Sequence, residues 1–563
     1  MTTMRRYILP SLGITLLLGV IYGRAVLQND FVTWDDGLLI TENPIIQEFS
    51  IRSVHRAFTS YDPELYIPLT FLSYQLDHLL WGLNPVGFHL TNLILHTLNA
   101  VLVFVLMVLL LRSGFDYAQP DTHTMTRSWI PLFVALLFAV HPLNVEAVAW
   151  AAARKDLLSG FFFLLSVCGY LKWVESVTLR KIFSHHDKWY FFSILSFLLG
   201  LLAKVSIAPL PLVILLIDWF LTRRCRVRVL RSLFPYFLLS IVFGVIALGG
   251  KHGNTELFSE KILIGAKAAV FSLGKLMWPT DFSVLYPYTR PITWSNPDLL
   301  LPLILVFILS ALAFLFRKKF PIVAYGWAFF LLMLLPSFTN FAKGHDQLRD
   351  VYFASDRYAY LPSIGIFLLI GSLLCRKGIF AILFLLSFLS YRQSHVWHNT
   401  ETLFRNVTRH YPDSHIAWNN LGSIAFEHGD VKTALEDYDR SLAIRPNAAA
   451  FFNLGQIALQ KGLIQKAMEL YRRAILSRPN DRDAHLNLGV LLLQEREFIE
   501  ATEAFQKAIT IDDTFALAYF NLGLAREALG NKDGARQAYT RALELDPYDQ
   551  EAREKLSRLQ GKK

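Results

Sequence analysis

Several acidic residues stand where apolar runs of the chain begin or end. Asp35 and Asp36 are adjacent in the first polar segment, and His141, Glu146 and Asp156 follow around a later apolar run. A carboxylate can act as a general base or hold a metal ion, so the four acids are candidates for both roles. The alternative is that they belong to solvated turns, because charged groups outside the bilayer cost little.

Cations and tyrosines recur in similar positions. Lys204 lies in a tight turn between two apolar runs, and Arg357 is followed by Tyr358 and Tyr360. Arg and Lys side chains can bind the phosphate of a lipid carrier, although each cation could instead reach up to the lipid headgroups. Acids and cations together fit the transfer of a group from a lipid phosphate to an acceptor outside the membrane.

The elements that must position these residues are predicted to be membrane-spanning helices. The chain has 563 residues, 53% hydrophobic and 18% charged, with a mean hydropathy of +0.36. A soluble chain usually carries about 25% charged residues. The net charge of +10 lies mostly in short loops, which indicates orientation in a membrane rather than nucleic-acid binding. Eleven spans are predicted: 7–27, 90–111, 129–150, 157–173, 189–204, 206–221, 232–250, 298–316, 320–338, 360–375 and 378–392.

The loops predict which side of the membrane each segment faces. The positive-inside rule places the basic loops in the cytoplasm, whereas the longer loops 28–89, 251–297 and 339–359 face outward. Segment 262–280 is interrupted by lysines and is predicted to lie at the outer interface as an amphipathic helix. The N-terminus is then cytoplasmic, and the acidic residues and C-terminal region are extracytoplasmic. The basic loop residues are Arg5, Arg6, Arg112, Arg127, Arg180, Lys181, Lys188, Arg223, Arg224, Arg226, Arg228, Arg231, Arg317, Lys318, Lys319, Arg376 and Lys377.

The C-terminal region repeats with a period of 33 to 34 residues. Alanines and aromatic residues recur in register with the glycines, and this pattern is typical of tetratricopeptide (TPR) repeats. Each aromatic side chain is predicted to fill the gap to the next repeat. About four full repeats and a preceding half unit are expected in residues 396–563, after a membrane domain in residues 1–395. The registers are Gly422, Gly455, Gly489 and Gly523; Ala434, Ala467, Ala501 and Ala535; and Tyr438, Tyr471, Phe505 and Tyr539.

The order of these motifs resembles the transmembrane and TPR repeat-containing O-mannosyltransferases, a family within the GT-C class of membrane glycosyltransferases. The resemblance covers nearly the whole chain and predicts an all-α fold, with a polytopic GT-C-like membrane domain followed by a TPR α-solenoid. One departure is Asp356, because the family more often has Glu before this Arg. The motifs are Asp35-Asp36, His141-Pro142 with Glu146, Asp156, Asp356 to Ser363, and Trp397 before the repeats.

The resemblance also implies roles for the residues. The donor would be a polyprenyl-phosphate-linked sugar, typically mannose, and the acceptor a Ser or Thr hydroxyl of a protein. Asp35 or Asp36 would be the base, with a slight preference for Asp35. The second acidic motif would consist of His141, Glu146 and Asp156. The lipid phosphate and the substrate would be bound by Lys204, Arg357, Tyr358 and Tyr360. A divalent cation, if the enzyme uses one, would be held by Asp35, Asp36, Glu146 and Asp156.

Other functions fit parts of the sequence. The same fold could glycosylate a glycolipid or a cell-wall polymer. A non-catalytic membrane-anchored TPR scaffold would explain the repeats, but it needs only one span. A transporter would predict internally repeated spans with ionisable groups near their middles, a pattern that the chain lacks. TPR arrays usually bind peptides or proteins on a concave surface, although an array can also be purely structural or dimerising.

Overall fold

A computed structural model describes residues 2–61, 65–114, 129–178, 187–222, 227–250, 258–339, 342–343, 350–373 and 378–560. The chain divides into two compact units. The membrane unit comprises Met1–Ala342 and Val351–Asn406, and the repeat unit comprises Lys343–Asp350 and Val407–Lys563. The predicted all-α class is confirmed, since the only strands among the described residues are two residues each: β1 (Ala342–Lys343) and β2 (Asp350–Val351).

Seventeen α-helices of the described chain lie in the membrane unit, joined in places by short 3₁₀ turns. Those turns include Pro142–Asn144, Val205–Ile207 and Asp356–Ala359. The helices are α1 (Thr2–Gln28), α2 (Pro44–Gln47), α3 (Ile51–Thr59), α4 (Pro68–Trp81), α5 (Pro85–Gly114), α6 (Ile130–Val140), α7 (Val145–Ala149), α8 (Arg154–Thr178), α9 (Asp187–Ala203), α10 (Leu210–Thr222), α11 (Val227–Ser232), α12 (Phe234–Gly249), α13 (Phe258–Met277), α14 (Pro297–Leu315), α15 (Pro321–Leu334), α16 (Ser363–Leu373) and α17 (Ile379–Ser394).

Fewer helices than predicted are long enough to cross a membrane. Within the described ranges, six are long and apolar enough, and one bent pair of helices would make a seventh. The four remaining predicted spans coincide with apolar helices of 10–17 residues. At 1.5 Å per residue these are shorter than the hydrocarbon core of about 30 Å. The predicted count of eleven is therefore not reproduced. The four short helices are Lys188–Ala203, Val205–Leu221, Phe234–Gly249 and Ser363–Leu373.

The bent pair lies where one continuous span was predicted at 129–150. Ile130–Val140 and Pro142–Ala149 meet at an angle of 51°. Pro142 explains the break, because proline has no N–H for the helix and its ring clashes with the preceding turn. Segment 262–280, predicted to be an amphipathic helix, is largely covered by α13, which is not among the helices apolar enough to span. Its place at the membrane interface stays a prediction.

Parts of the basic loops cannot be compared with this structure. The side chains of Arg5, Arg6, Arg112 and Arg228 lie outside what is described. Eight further residues lie entirely outside the described ranges: Arg127, Arg180, Lys181, Arg223, Arg224, Arg226, Arg376 and Lys377.

The repeat unit is a series of antiparallel helix pairs. Helix α18 (Thr400–His410) contains the boundary between the units, and the described part of the chain ends with α27 (Gln550–Leu559). The pairs between them are α19 (His415–Glu427) with α20 (Val431–Ile444), α21 (Ala448–Gln460) with α22 (Ile464–Ser477), α23 (Arg482–Gln494) with α24 (Phe498–Ile511), and α25 (Ala516–Ala528) with α26 (Lys532–Leu545).

The repeat glycines allow the two helices of each pair to pack closely. A Cβ atom at Gly455 would lie 2.8 Å from the ring of Tyr471, which is in the second helix of the same repeat. The other three repeats pair Gly422 with Tyr438, Gly489 with Phe505 and Gly523 with Tyr539. The aromatic ring thus fills space within its own repeat, and its predicted role in filling the gap to the next repeat stays a prediction.

Candidate active site

Glu146 and Arg357 form a buried ion pair. Glu146 lies in the five-residue helix α7, just after the break at Pro142, and Arg357 lies in the 3₁₀ turn before α16. The guanidinium donates to Glu146 Oε1, the backbone N–H of Arg357 donates to Oε2 at 3.1 Å, and Ser355 Oγ donates to Oε1 at 2.8 Å. The carboxylate therefore fixes both the backbone and the side chain of Arg357.

A second ion pair lies next to the first. The Lys204 ammonium donates a hydrogen bond to Asp156 Oδ1, and Arg357 Nε lies 3.9 Å from Asp156 Oδ2. Lys204 Nζ also lies 5.6 Å from the centre of the Tyr358 ring. Lys204 is 16% exposed, so its amine can meet a ligand, whereas Arg357 is enclosed. The predicted residues Glu146, Asp156, Lys204, Arg357 and Tyr358 thus form one cluster.

The adjacent acids Asp35 and Asp36 have different surroundings. Asp36 is buried, and its two carboxylate oxygens accept backbone N–H bonds from Val32 and Ala152, each at 2.8 Å. Burial raises the pKa of Asp36 to about 7, although these two hydrogen bonds oppose the shift. The side chain of Asp35 is 36% exposed, and Lys155 Nζ lies 3.9 Å from its Oδ2 atom. Asp36 ties the first loop to the start of α8, and Asp35 remains accessible.

Two predicted residues have polar groups that are hydrogen-bonded to residues outside the ion pairs. His141 is buried at the break between α6 and α7, where Nδ1 accepts from Leu143 N at 3.2 Å and Nε2 lies 3.3 Å from Leu276 O. The hydroxyl of Tyr360 contacts His96 and Asn99 at 2.9 and 3.0 Å. Tyr360 also lines the pocket that contains Lys204 and Arg357, and His141 is not among its lining residues. A role in substrate binding stays a prediction for both.

A polar row on α5 was missed in the sequence. Asn92, His96 and Asn99 are spaced four and three residues apart within a long apolar helix, and all three are buried. Their side chains contact the carbonyl oxygens of Trp150, Ala139 and Leu157 at 2.9 to 3.0 Å. Ala139 and Trp150 lie at ends of the two short helices α6 and α7, where backbone groups need partners because lipid offers none, and Leu157 lies in the first turn of α8. The helical spacing of three polar residues in a predicted span was the available signal.

Trp150 was also missed and lies among the charged residues. Its side chain is completely buried, and the centre of its ring is 4.7 Å from the Arg357 guanidinium and 5.7 Å from Lys155 Nζ. Trp397 stacks on it with ring centres 5.5 Å apart. An aromatic face attracts cations through its quadrupole. Trp150 therefore helps to hold two cations of the site together.

Asp356, whose role the sequence left open, is bound by a tyrosine. The Tyr286 hydroxyl lies 2.8 and 3.0 Å from the two carboxylate oxygens of Asp356. Burial, followed by the nearby Glu146 carboxylate, raises the pKa of Asp356 well above its usual value. The contact holds the turn that carries Arg357.

The four acids predicted as ligands of a divalent cation do not converge. No group of three or more His, Cys, Asp or Glu residues close enough to hold a metal ion exists in the part of the chain that the structure describes. Glu146 is engaged by Arg357, and Asp36 is engaged by backbone N–H groups. A cation at these acids stays a prediction.

A pocket opens beside the second ion pair. Lys204 and Arg357 both line it, and the rest of the lining includes polar and apolar residues. Its other lining residues include Asp156, Ser159, Ser206, Tyr358, Met333 and Leu361. Such a lining suits a molecule that carries both an anionic group and an apolar chain.

The fold defines a class of protein, a polytopic helical membrane protein with a tetratricopeptide array. Models of the tetratricopeptide repeat match residues 397–449, 452–514 and 516–549, so the predicted repeats are confirmed. Together with the long apolar helices, these matches also confirm the architecture of a helical membrane domain followed by a TPR solenoid.

Among known proteins, the chain is similar to protein O-mannosyl-transferases. It is 27% identical to the protein O-mannosyl-transferase F38B6.6 of Caenorhabditis elegans, over 78% of this chain and 63% of that protein. It is 41% identical to human protein O-mannosyl-transferase TMTC4, over 19% of this chain and 14% of that protein. It is 40% identical to the protein O-mannosyl-transferase Tmtc3 of Drosophila melanogaster, over 19% of this chain and 12% of that protein. The predicted resemblance is confirmed, and the chain spans less than two thirds of the length of each of these relatives.

Proposed function

We propose that the protein is a membrane glycosyltransferase that moves mannose from a polyprenyl-phosphate carrier to a Ser or Thr hydroxyl of a protein. The observation that carries the proposal is the cluster of Asp35, Glu146, Asp156, Lys204 and Arg357. Five separate segments supply these residues, and a chain of ion pairs links four of them, with Asp35 joined to Lys155 at one edge. The similarity to proteins named O-mannosyl-transferases supports the same reaction.

Asp35 is the proposed base. Its carboxylate is partly exposed, whereas both carboxylate oxygens of Asp36 accept backbone hydrogen bonds in the interior. A base must come within hydrogen-bond reach of the proton that it removes. Asp36 is too enclosed for that task and instead fixes the loop that presents Asp35.

The proposed reaction is a single inverting displacement. The acceptor hydroxyl gives its proton to Asp35 while its oxygen forms a bond to the anomeric carbon of the sugar. The bond between that carbon and the phosphate oxygen breaks, and the lipid phosphate leaves from the opposite face with the bonding electron pair. The protonated Asp35 then releases its proton to solvent, and no other reactant is needed.

Lys204 and Arg357 are proposed to meet the departing phosphate. Charge grows on the phosphate oxygen as the bond breaks, and fixed cations stabilise such charge best where water is excluded. Lys204 and Arg357 both line the pocket. The apolar part of the lining suits the prenyl chain. We place this site on the extracytoplasmic face, in keeping with the basic loops of the sequence.

The repeat array is proposed to bind the acceptor protein. TPR solenoids present extended concave surfaces to partners. If the acceptor is instead a glycolipid or a cell-wall polymer, the array does not bind a protein acceptor. The identity of the acceptor therefore distinguishes protein glycosylation from glycosylation of a lipid or polymer.

The test is a transfer assay with purified full-length protein in lipid nanodiscs. Polyprenyl-phosphate mannose is supplied with Ser- and Thr-containing peptides or with glycolipid acceptors, and the products are identified by mass spectrometry. We expect Asp35→Asn to lower kcat by at least about 100-fold, the scale of a lost general base. Asp298→Asn, at an acid on α14 outside the cluster, is the control and should keep the wild-type rate.

Two outcomes would contradict the proposal. If Asp35→Asn transfers mannose at the wild-type rate, Asp35 is not the base. If the wild-type protein transfers no sugar from any polyprenyl carrier, the glycosyltransferase proposal falls and the scaffold function gains support. Repeating the assay with a chelator tests the predicted divalent cation.

A further inference from the structure

Lys155 is a buried amine at the edge of the cluster. Its side chain is 5% exposed, and it belongs to the first turn of α8, directly before Asp156. We propose that Lys155 is a positioning residue for Asp35, holding the carboxylate in the orientation in which it accepts the proton of the acceptor hydroxyl. This inference rests on the proposed function of Asp35 as the base.

The first support is the distribution of ion pairs. Asp156 has a hydrogen-bonded partner in Lys204, and Glu146 has one in Arg357. Asp35 has neither a backbone nor a side-chain hydrogen bond to its carboxylate within the described part of the chain, and its ion pair is the one with Lys155. Among the described residues, Lys155 is therefore the cation within ion-pair distance of the Asp35 carboxylate, and Arg357 acts on it from further away.

The second support is the length of this pair. The two charged atoms are 3.9 Å apart, which is beyond hydrogen-bond distance but within the range of strong Coulomb attraction. The ammonium can thus orient the carboxylate without occupying the oxygen lone pairs that must receive a proton. A shorter pair, such as the one between Lys204 and Asp156, would compete with the acceptor hydroxyl for those lone pairs.

The third support is the way in which the amine is held. Lys155 Nζ lies over the face of Trp150, 5.7 Å from the ring centre, and Trp397 stacks on that indole. Asp36 accepts a hydrogen bond from Ala152, three residues before Lys155, so the base loop and the start of α8 are joined at a second point. The acid and the amine are therefore fixed relative to each other through both side chain and backbone.

The experiment compares Lys155→Met, Lys155→Arg and Lys172→Met in the mannose transfer assay. Lys172 is the matched control, since it lies in the same helix and its amine also rests on an indole, 5.2 Å from the ring centre of Trp189. We expect Lys155→Met to lower kcat by about 10- to 100-fold, the scale of a misplaced catalytic group. The KM for the lipid donor should change by less than about twofold, because the amine is not proposed to bind the donor. Lys155→Arg should recover part of kcat, and Lys172→Met should behave as wild type.

A readout without catalysis tests the pairing itself. Unfolding temperatures are measured for the wild type, Lys155→Met, Asp35→Asn and the double variant. Coupled residues give non-additive changes, and independent ones give additive changes.

Three results would overturn the inference. They are a Lys155→Met variant with wild-type kcat, a loss that appears in the donor KM alone, and additive unfolding temperatures. If the wild-type protein transfers mannose but any of these three results is found, the proposed function stands and only the role of Lys155 is rejected. A wild type that transfers no sugar overturns the proposed function, and this inference with it.

Discussion

The carboxylate of Glu146 binds both the backbone N–H and the guanidinium of Arg357, 211 residues further along the chain. Both side chains are buried, so each ion has lost most of its hydration. Buried pairs seldom add net stability over apolar residues of similar size, but removal of one partner leaves an uncompensated charge. The pair therefore matters chiefly for the geometry that it imposes on Arg357.

Replacing Glu146 with Gln should release Arg357 while nearly preserving side-chain volume. We expect the free energy of unfolding to fall by about 3–5 kcal/mol, the range measured for broken buried pairs, and the KM for the lipid donor to rise with a loss of kcat. Ser355→Ala is the control, because it removes a hydroxyl that donates to Glu146 and accepts from Arg357 but keeps the ion pair, and it should cost about 1.5–3 kcal/mol. A Glu146→Gln variant with wild-type donor KM would show that Arg357 does not bind the phosphate.

Asp36 should make stability depend on pH. Burial raises its pKa from the usual 3.8 to about 7, so between these values the folded protein keeps a proton that the unfolded chain has released. The contribution of Asp36 to the free energy of unfolding is fully present below about pH 4 and is lost as the pH rises through about 7. In Asp36→Asn this component is absent. The check is the unfolding temperature of both proteins between pH 5 and 8.

The difference in unfolding temperature between wild type and Asp36→Asn should change with pH in one direction. The variant should be less stable than wild type at pH 5, and the difference should narrow towards pH 8. Part of the difference persists at every pH, because an Asn side chain has one acceptor oxygen and leaves one of the two backbone N–H groups unpaired. A gap that widens as the pH rises would contradict the assignment.

Much of the architecture could be predicted because it depends on local pattern. The TPR register follows from small residues that the helix packing demands, as at Gly455 against Tyr471. The predicted spans coincide with apolar helices because hydrocarbon admits few other segments. Helix length was harder to predict, since Pro142 breaks the apolar run 129–150, which was predicted as one continuous span.

The arrangement of the candidate site could be predicted only in part. Charged residues beside spans could be recognised individually, but their partners lie far away in sequence. Asp35 and Asp36 look equivalent as adjacent letters, and the backbone hydrogen bonds of Asp36 separate them only in three dimensions. The contact between Trp150 and Arg357 likewise depends on tertiary packing that no local pattern records.

Asp77 should be critical for stability. It forms a buried ion pair with Arg154, 2.5 Å between charged atoms, and α4 and α8 meet there. Asp77→Ala leaves a buried guanidinium without its carboxylate and should lower the free energy of unfolding by about 3–5 kcal/mol. Asp298→Ala is the control: it breaks the exposed ion pair with Arg290 and should change the free energy of unfolding by about 1 kcal/mol or less. Equal effects of the two variants in detergent unfolding would contradict the stabilising role of the Asp77–Arg154 pair.

Arg496 should be a site where glycine stabilises the repeat array. Its φ angle is +67°, and in register with it stand Gly429, Gly462 and Gly530 at +80°, +71° and +79°. A side chain in this left-handed conformation clashes with the following carbonyl, at a cost of about 1–2 kcal/mol. Arg496→Gly should therefore raise the free energy of unfolding of the repeats by about 1 kcal/mol, less the entropy that glycine gains in the unfolded chain. Proteolysis of the full-length protein, following cleavage within the array, measures the change. Gly462→Arg is the reciprocal variant and should accelerate cleavage, and faster cleavage of Arg496→Gly would contradict the strain assigned to this turn.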